Sequence, residues 1–374
     1  MDFNELLKTK KVLICCGAGG VGKTTLAAAL GVKAAELGLR VLVLTIDPAR
    51  RLATSLGLSD LGTEEVKLVE GLPSSGKFYA SMLDMKRTFD EFITSMAPSA
   101  EVANRVLNNN IYKQISTALN GSQEYTALEK LLQASNSGSY DLVILDTPPT
   151  KHAMDFLNAP IKIHTLFQDS IIKWFLMPFT TLDRMSLGLM NRGTKAAFKA
   201  FEKVGGSEFL GSLTEFFSSI RVWQKHLRDR TAEVHRLLTS SATGFVLVTG
   251  FNAVHIDEAR FFEKSLRRGG YYLSAIIINR AFPLWGHHEI VQGTVVQDGS
   301  LSNEYKKLVG FYEALKNFYK NQEAAFRSYA QEMRQNIIFC RLPDFDQDVH
   351  DLSSLKKVAD RLEEKSILME NGYA

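Results

Sequence analysis

The sequence predicts an α/β protein, a doubly wound and mostly parallel sheet with helical insertions, and three observations carry that prediction. Short apolar runs recur along the chain, helical patterns alternate with them, and a glycine-rich motif joins the first run to the first helix. The runs are "KVLICC" (11 to 16), "RVLVLTID" (40 to 47), "FYASMLD" (78 to 84), "YDLVILD" (140 to 146), "TGFVLVTG" (243 to 250), "YYLSAIIIN" (271 to 279) and "NIIFCRL" (336 to 342). They are rich in Val, Ile and Leu and lack strict alternation. Strands covered on both faces read this way, as a parallel sheet between helical layers requires.

The helices follow from the intervening patterns. "KTTLAAALGVKAAELG" (23 to 38) follows the first strand, and "HIDEARFFEKSLRRGG" (255 to 270) is entered near Asp257 and left at Gly269. Strand and helix in alternation mean crossover units. Residues 85 to 138 and 153 to 240 carry helical periodicity without convincing strands, and are expected to form a helical subdomain inserted into a single domain spanning 1 to 374. A further helical stretch, 302 to 334, precedes the last strand.

Within the second insertion, "LFQDSIIKWFLMPFTTLDRMSLGLM" (166 to 190) is dense in aromatic residues and Met. Lys173, Asp183 and Arg184 interrupt it and exclude a spanning segment. It reads as an amphipathic helix pair broken near Pro178, whose apolar face packs in its own domain or is offered to a partner.

Composition narrows the function classes. Apolar residues at 45% and charged residues at 23% exclude a disordered chain and leave a globular one. The net charge of +3 is spread among interleaved acids and bases, so no nucleic-acid footprint is expected. "MDFNELLKTKK" has no apolar run before the first strand, which argues against a secretory signal. Cys15, Cys16 and Cys340 form no CxxC pair. A cytoplasmic setting is expected.

"GAGGVGKT" (17 to 24) fits the G-x-x-x-x-G-K-[ST] pattern and lies between a buried strand and a helix, the context that the motif requires. The backbone of Gly17, Ala18, Gly19, Gly20, Val21, Gly22, Lys23, Thr24 and Thr25 would then wrap phosphate oxygens at a helix N-terminus. Lys23 would reach the β- and γ-phosphates, and Thr24 would ligate Mg²⁺. A P-loop NTPase is therefore the expected fold. Two aspartates, Asp47 and Asp146, close apolar runs, and each is either a turn-capping residue or a ligand at the carboxyl edge of the sheet. One would serve the metal and the other an attacking water.

Taken together, "GAGGVGKTT", "TIDPARRLATSLGL" (45 to 58), "LDTPPTKHAMDFL" (145 to 157), the strand ending at Asn279 and Arg280, and "LPDFDQDVHDL" (342 to 352) resemble, in order, the motifs of the ArsA family. That family includes the arsenite-pump ATPase and the ATPase that delivers tail-anchored membrane proteins, and is related to MinD and ParA. The resemblance implies that Asp47 orients the hydrolytic water and that Asp146 holds Mg²⁺ through a water. It implies that Asn279 reads the adenine edge, beside Arg280, and that Pro343, Asp344 and Phe345 pack against the base. The second switch would comprise Asp146, Thr147, Pro148, Pro149 and His152. The family's DTAPTGH pattern reads "DTPPTKH" here, and the two prolines stiffen it. Asn279 is followed by "RAF" rather than by the N-K-x-D pattern of GTP-selective relatives, which favours ATP.

Two departures matter. The family's loop carries a lysine just after its first glycine, reaching a partner's nucleotide across a dimer, and this chain has Ala18. Arg50 and Arg51 are the nearest cations in sequence, either compensating for that charge or simply opening a solvent-facing helix. The chain also lacks the thiols of the pump and the CxxC zinc site of the targeting factor. Cys15 and Cys16 alternate across a buried strand and cannot share a metal, so no zinc is expected.

The resemblance implies an Mg²⁺-dependent ATPase whose nucleotide state reshapes a helical subdomain that holds a hydrophobic client or a membrane-protein segment. It implies a homodimer, or a heterodimer with a paralogue, peripheral to the membrane through a partner if attached at all. The alternatives are a metalloid-pump motor and a nucleotide-gated binding module that hydrolyses slowly or not at all.

Overall fold

A computed structural model of the chain describes residues 1–46, 51–58, 66–72, 75–113, 122–148, 150–166, 211–213, 215–221, 223–281, 299–332, 337–345 and 347–362. In chain order the elements begin with α1 (Phe3–Thr9), β1 (Val12–Gly17), α2 (Lys23–Glu36), β2 (Arg40–Thr45), α3 (Arg51–Ser55), β3 (Lys67–Leu68) and β4 (Lys77–Met82). There follow α4 (Met85–Met96), α5 (Ala100–Asn108), α6 (Ser122–Asn136), β5 (Leu142–Asp146), α7 (Thr150–Leu166) and α8 (Gln224–Thr239). The last are β6 (Thr243–Gly250), α9 (Ala253–Arg268), β7 (Leu273–Ala281), α10 (Gly299–Glu332), β8 (Ile338–Pro343) and α11 (Leu352–Arg361).

One sheet has the order β3-β4-β2-β5-β1-β6-β7-β8. All its pairings are parallel except that of β3 with β4. The α/β, mostly parallel class read from the sequence is what the chain adopts. From β1 the chain moves to one side for β2 and to the other for β6, so the loops leaving the central strands diverge at the carboxyl end of β1. That divergence opens the crevice in which ligands of such sheets sit.

Two-sided burial explains the unbroken apolar runs. Cys15, Val43, Ile144, Val246 and Ile277 point into one core, against α2 and α11, while Ile14, Leu44, Leu145, Leu247 and Ile278 on the opposite face are equally buried. Each such side chain withdrawn from water is worth about 2 kcal/mol. Capping residues set where the helices start. Asp2, Asp84, Ser99, Asn252 and Asp351 each accept a backbone N–H from the first turn. The helix expected to begin near Asp257 starts earlier because Asn252 accepts from His255 N at 2.8 Å; Asp257 instead pairs with Arg260 at 2.9 Å.

The chain divides into two compact units. The first comprises Met1–Met82, Ser137–Ala153 and Thr239–Ala374, and contains the sheet. The second comprises Leu83–Asn136 and Met154–Leu238, and its described elements are helices. Its core is aromatic: Phe89 stacks on Tyr112 with centroids 5.8 Å apart, and Phe92 meets Tyr125 edge-on at 5.3 Å. Buried Glu129 is satisfied there by Arg230 at 2.7 Å.

Candidate nucleotide site

The site begins where β1 must stop. At Gly17, φ is +150°, and a Cβ would overlap the Val248 carbonyl oxygen of neighbouring β6, so only glycine lets the two strands run this close. The loop then turns through Gly20 and Gly22, at φ +77° and +92°, and delivers the chain into α2 at Lys23. Backbone N–H groups at this helix start have no intrahelical acceptor, which makes it an anion site by construction.

Register assembles a polar cluster around Asp146. Cys15 and Thr45 are both register partners of Asp146, one on each side of β5. Parallel partners project to the same face, here the α2 face, so the first turn of α2 meets the Asp146 carboxylate. Thr24 donates its hydroxyl to Asp146 Oδ2 at 2.6 Å, and Thr45 donates to the same oxygen at 3.0 Å. Asp146 is 1% exposed. Thr147 continues the strand edge by donating its hydroxyl to the Cys15 carbonyl at 2.9 Å.

On the phosphate side, Lys23 Nζ donates to the Ala18 carbonyl oxygen at 2.8 Å, folded back over its own loop. An ionised phosphate oxygen is a stronger acceptor than that carbonyl, so the lysine is poised to exchange one for the other. Ala18 itself is buried, and its methyl group belongs to the core. Thr25 is half-buried, and Gly19 and Gly20 are exposed.

Beside the loop, the end of β7 carries an irregularity. Ile278 faces Arg341 and Ala281 faces Pro343, so Asn279 and Arg280 together oppose a single residue of β8. Arg280 takes φ +53°, a left-handed conformation that a non-glycine residue adopts at a cost. Such bulges re-aim side chains near functional sites. Asn279 Nδ2 donates to the Val21 carbonyl oxygen at 2.9 Å, which ties the end of β7 to the phosphate loop. Asp344 N donates to the Ala281 carbonyl oxygen at 3.1 Å, and Phe345 packs on the core.

The cysteines are strand packing. Cys15 lies in the α2-side core, and Cys16, on the opposite face, directs its thiol at the Val246 carbonyl oxygen. Burial pushes both thiols well above their ordinary range; at Cys15 the neighbouring Asp146 carboxylate adds to this and Lys23 opposes it.

The structure thus brings Lys23, Thr24, Asp146 and Asn279 to one crevice. Arg51 opens α3 and is exposed, and Pro148 is half-buried. Asp47, Arg50 and Pro149 lie outside the described residues, as does nearly all of 166 to 190. His152 lies in α7, where only the backbone is described. Thr45 is the site residue that the sequence does not mark out; its one signal is a polar residue inside an apolar run, two positions before Asp47. The donor set around Asp146 is two hydroxyls and a carboxylate, all oxygen, which suits a hard cation such as Mg²⁺. The glycine-lined helix start suits a polyphosphate. Among the described residues no helix is long and apolar enough to cross a membrane.

Comparison with known proteins agrees with this geometry. The family model described as anion-transporting ATPase, ArsA, matches residues 10–293. A protein of Aquifex aeolicus named as an arsenical pump-driving ATPase is 23% identical over 358 residues, 93% of this chain and 78% of that one. The Arabidopsis thaliana ATPase GET3C is 27% identical over 296 residues, 75% of this chain and 70% of that one. A Prosthecochloris vibrioformis protein, also named for arsenical pump driving, is 31% identical over 151 residues, 40% of this chain and 36% of its own. With its phosphate loop, oxygen-donor cluster and matching family model, the chain belongs to the ArsA family of anion-transporting ATPases.

Proposed function

We propose that the chain is a Mg²⁺-dependent, ATP-hydrolysing switch whose nucleotide state is passed to its helical unit and, through it, to a partner protein. The observation that carries this reading is the Thr24–Asp146 contact at 2.6 Å, which joins the phosphate loop to the first residue of the second switch. From Asp146 the chain needs only four residues to enter α7, which begins in the sheet-bearing unit and ends in the helical one. A ligand that draws Thr24 and Asp146 into a metal shell acts directly on that connection.

In this reading Lys23 leaves the Ala18 carbonyl for the β- and γ-phosphates, and the loop N–H groups share the remaining charge. Bound Mg²⁺, held by Thr24 and through a water by Asp146, would screen the phosphate oxygens from one another. Asp47 orients the attacking water. Asn279 and Arg280, with Pro343, Asp344 and Phe345, frame the adenine. The protein works as a dimer, with itself or with a paralogue, in the cytoplasm, and its client is a hydrophobic segment of another protein. α10 adds support for a partner, since its Leu308, Phe311 and Phe318 are 67%, 68% and 55% exposed.

Phosphate release measured with and without Mg²⁺ tests the proposal. Turnover should require the metal and fall to background in Lys23→Ala and in Asp47→Asn; wild-type turnover no higher than that of Lys23→Ala would sink it. Ala18 supports a second reading, a slow or non-hydrolysing nucleotide-gated module, which that same result would favour. The motor of a metalloid pump, suggested by two relatives' names, has a specific obstacle. Cys15, Cys16 and Cys340 are thiols at most 3% exposed, so none offers a thiolate to arsenite. Stimulation of turnover by arsenite or antimonite would revive it.

A further inference from the structure

We propose that Thr45 is a positioning residue for magnesium binding, locking the Asp146 carboxylate in the orientation that receives Thr24; this rests on the ATP–magnesium reading of the site. Asp146 Oδ2 accepts two hydroxyls at once, Thr24 at 2.6 Å and Thr45 at 3.0 Å. The two donors differ in kind. Thr24 belongs to the phosphate loop and is itself a metal ligand in this reading, whereas Thr45 closes β2 and is fixed as the register partner of Asp146.

Thr45 is 1% exposed, so its hydroxyl is shielded from competition by bulk water. A carboxylate on a buried strand end can rotate about its terminal torsion, and a second donor on a rigid neighbouring strand removes that freedom. Thr45 also stands two residues before Asp47 in the chain. One hydroxyl therefore ties the strand that leads to the first switch to the residue that opens the second, and a shift at either would be felt at the metal.

The test is equilibrium titration of a fluorescent ATP analogue with and without Mg²⁺, on the full chain and on Thr45→Val, which keeps the shape and removes the donor. In Thr45→Val the Mg²⁺ concentration giving half of the tightening should rise about tenfold, the low end of the effect of removing partners behind metal ligands. Affinity without Mg²⁺ should change less than about twofold, because the Thr45 hydroxyl acts on the Asp146 carboxylate, the metal-side group of the proposed reading, and Thr45→Ser should recover most of the loss. Should Thr45→Val fail to fold, Thr45→Ala against Thr45→Ser makes the same comparison. A Thr45→Val titration matching wild type, or an equal weakening with and without the metal, overturns the role given to Thr45 alone. Wild-type protein whose nucleotide affinity ignores Mg²⁺ overturns the ATP–magnesium reading and this inference with it.

Discussion

Gly22→Ala probes whether the phosphate loop is held in its ligand-ready shape from outside the motif. Gly22 has φ +92°, and a Cβ built there lies 2.5 Å from Asn279 Nδ2, the group that donates to Val21 O. Forcing an L-residue into the left-handed region costs about 1–2 kcal/mol. Displacing the Asn279 amide forfeits roughly 1 kcal/mol of hydrogen bonding. If the free loop relaxes and must be driven back on binding, the two together weaken ATP by about 30- to 150-fold. Asn279→Ala alone should cost that hydrogen bond and, in the proposed reading, the amide's contact with the adenine, at least about fivefold in all. The double variant is the informative one. With the Asn279 amide already gone, the methyl group added at position 22 displaces nothing, so the cost should match that of Gly22→Ala and fall short of the sum, leaving a coupling of about 1 kcal/mol. Titration of a fluorescent ATP analogue reads all three, with thermal melts to confirm folding. Strictly additive losses, or Gly22→Ala binding within about threefold of wild type, would refute the idea that Asn279 braces the loop.

Three further outcomes follow from burial. Ellman's reagent at pH 8 should label no cysteine in the folded protein and all three in denaturant, since Cys15, Cys16 and Cys340 are buried and the first two thiols are held protonated. Tyr329→Phe should raise stability by about 1 kcal/mol, read as a melting shift of roughly 2 °C, because the hydroxyl is buried with no hydrogen-bond partner among the described residues while its ring contacts survive the change. In the helical unit, burial first and an acidic neighbour second raise the Tyr112 and Tyr125 phenols. Their folded values lie above the unfolded value of about 10, so their contribution is fully present below that pH and is lost as pH rises past it. Absorbance at 295 nm should show both ionising only with unfolding.

What was legible in the sequence was local. β6 coincides with its apolar run because both its faces are buried and nothing interrupts Thr243–Gly250. β3 escaped because it is two residues long and leaves Leu68 48% exposed, so no run marks it. The phosphate loop announced itself because its glycines, lysine and threonine sit within eight residues. The contacts that complete the site did not, since Thr45 and Asn279 are separated from Asp146 and Val21 by 101 and 258 residues. Only strand order and register bring them together, and neither is written in any one segment.

That division bears on Ala18, where the chain leaves the family pattern. The groups that make the loop a phosphate cradle are mostly backbone, and Lys23 uses the carbonyl of residue 18 rather than its side chain. Alanine there costs the cradle nothing, and its buried methyl group adds to the core. A lysine at that position would supply a charge for the transition state, beyond the reach of its own loop. In the proposed reading, the charge that Ala18 lacks therefore bears on turnover rather than on the loop's hold on phosphate. If Thr24 and Asp146 hold metal and nucleotide as proposed, alanine at position 18 leaves those contacts in place, and what it would lower is the rate, unless another cation supplies the charge.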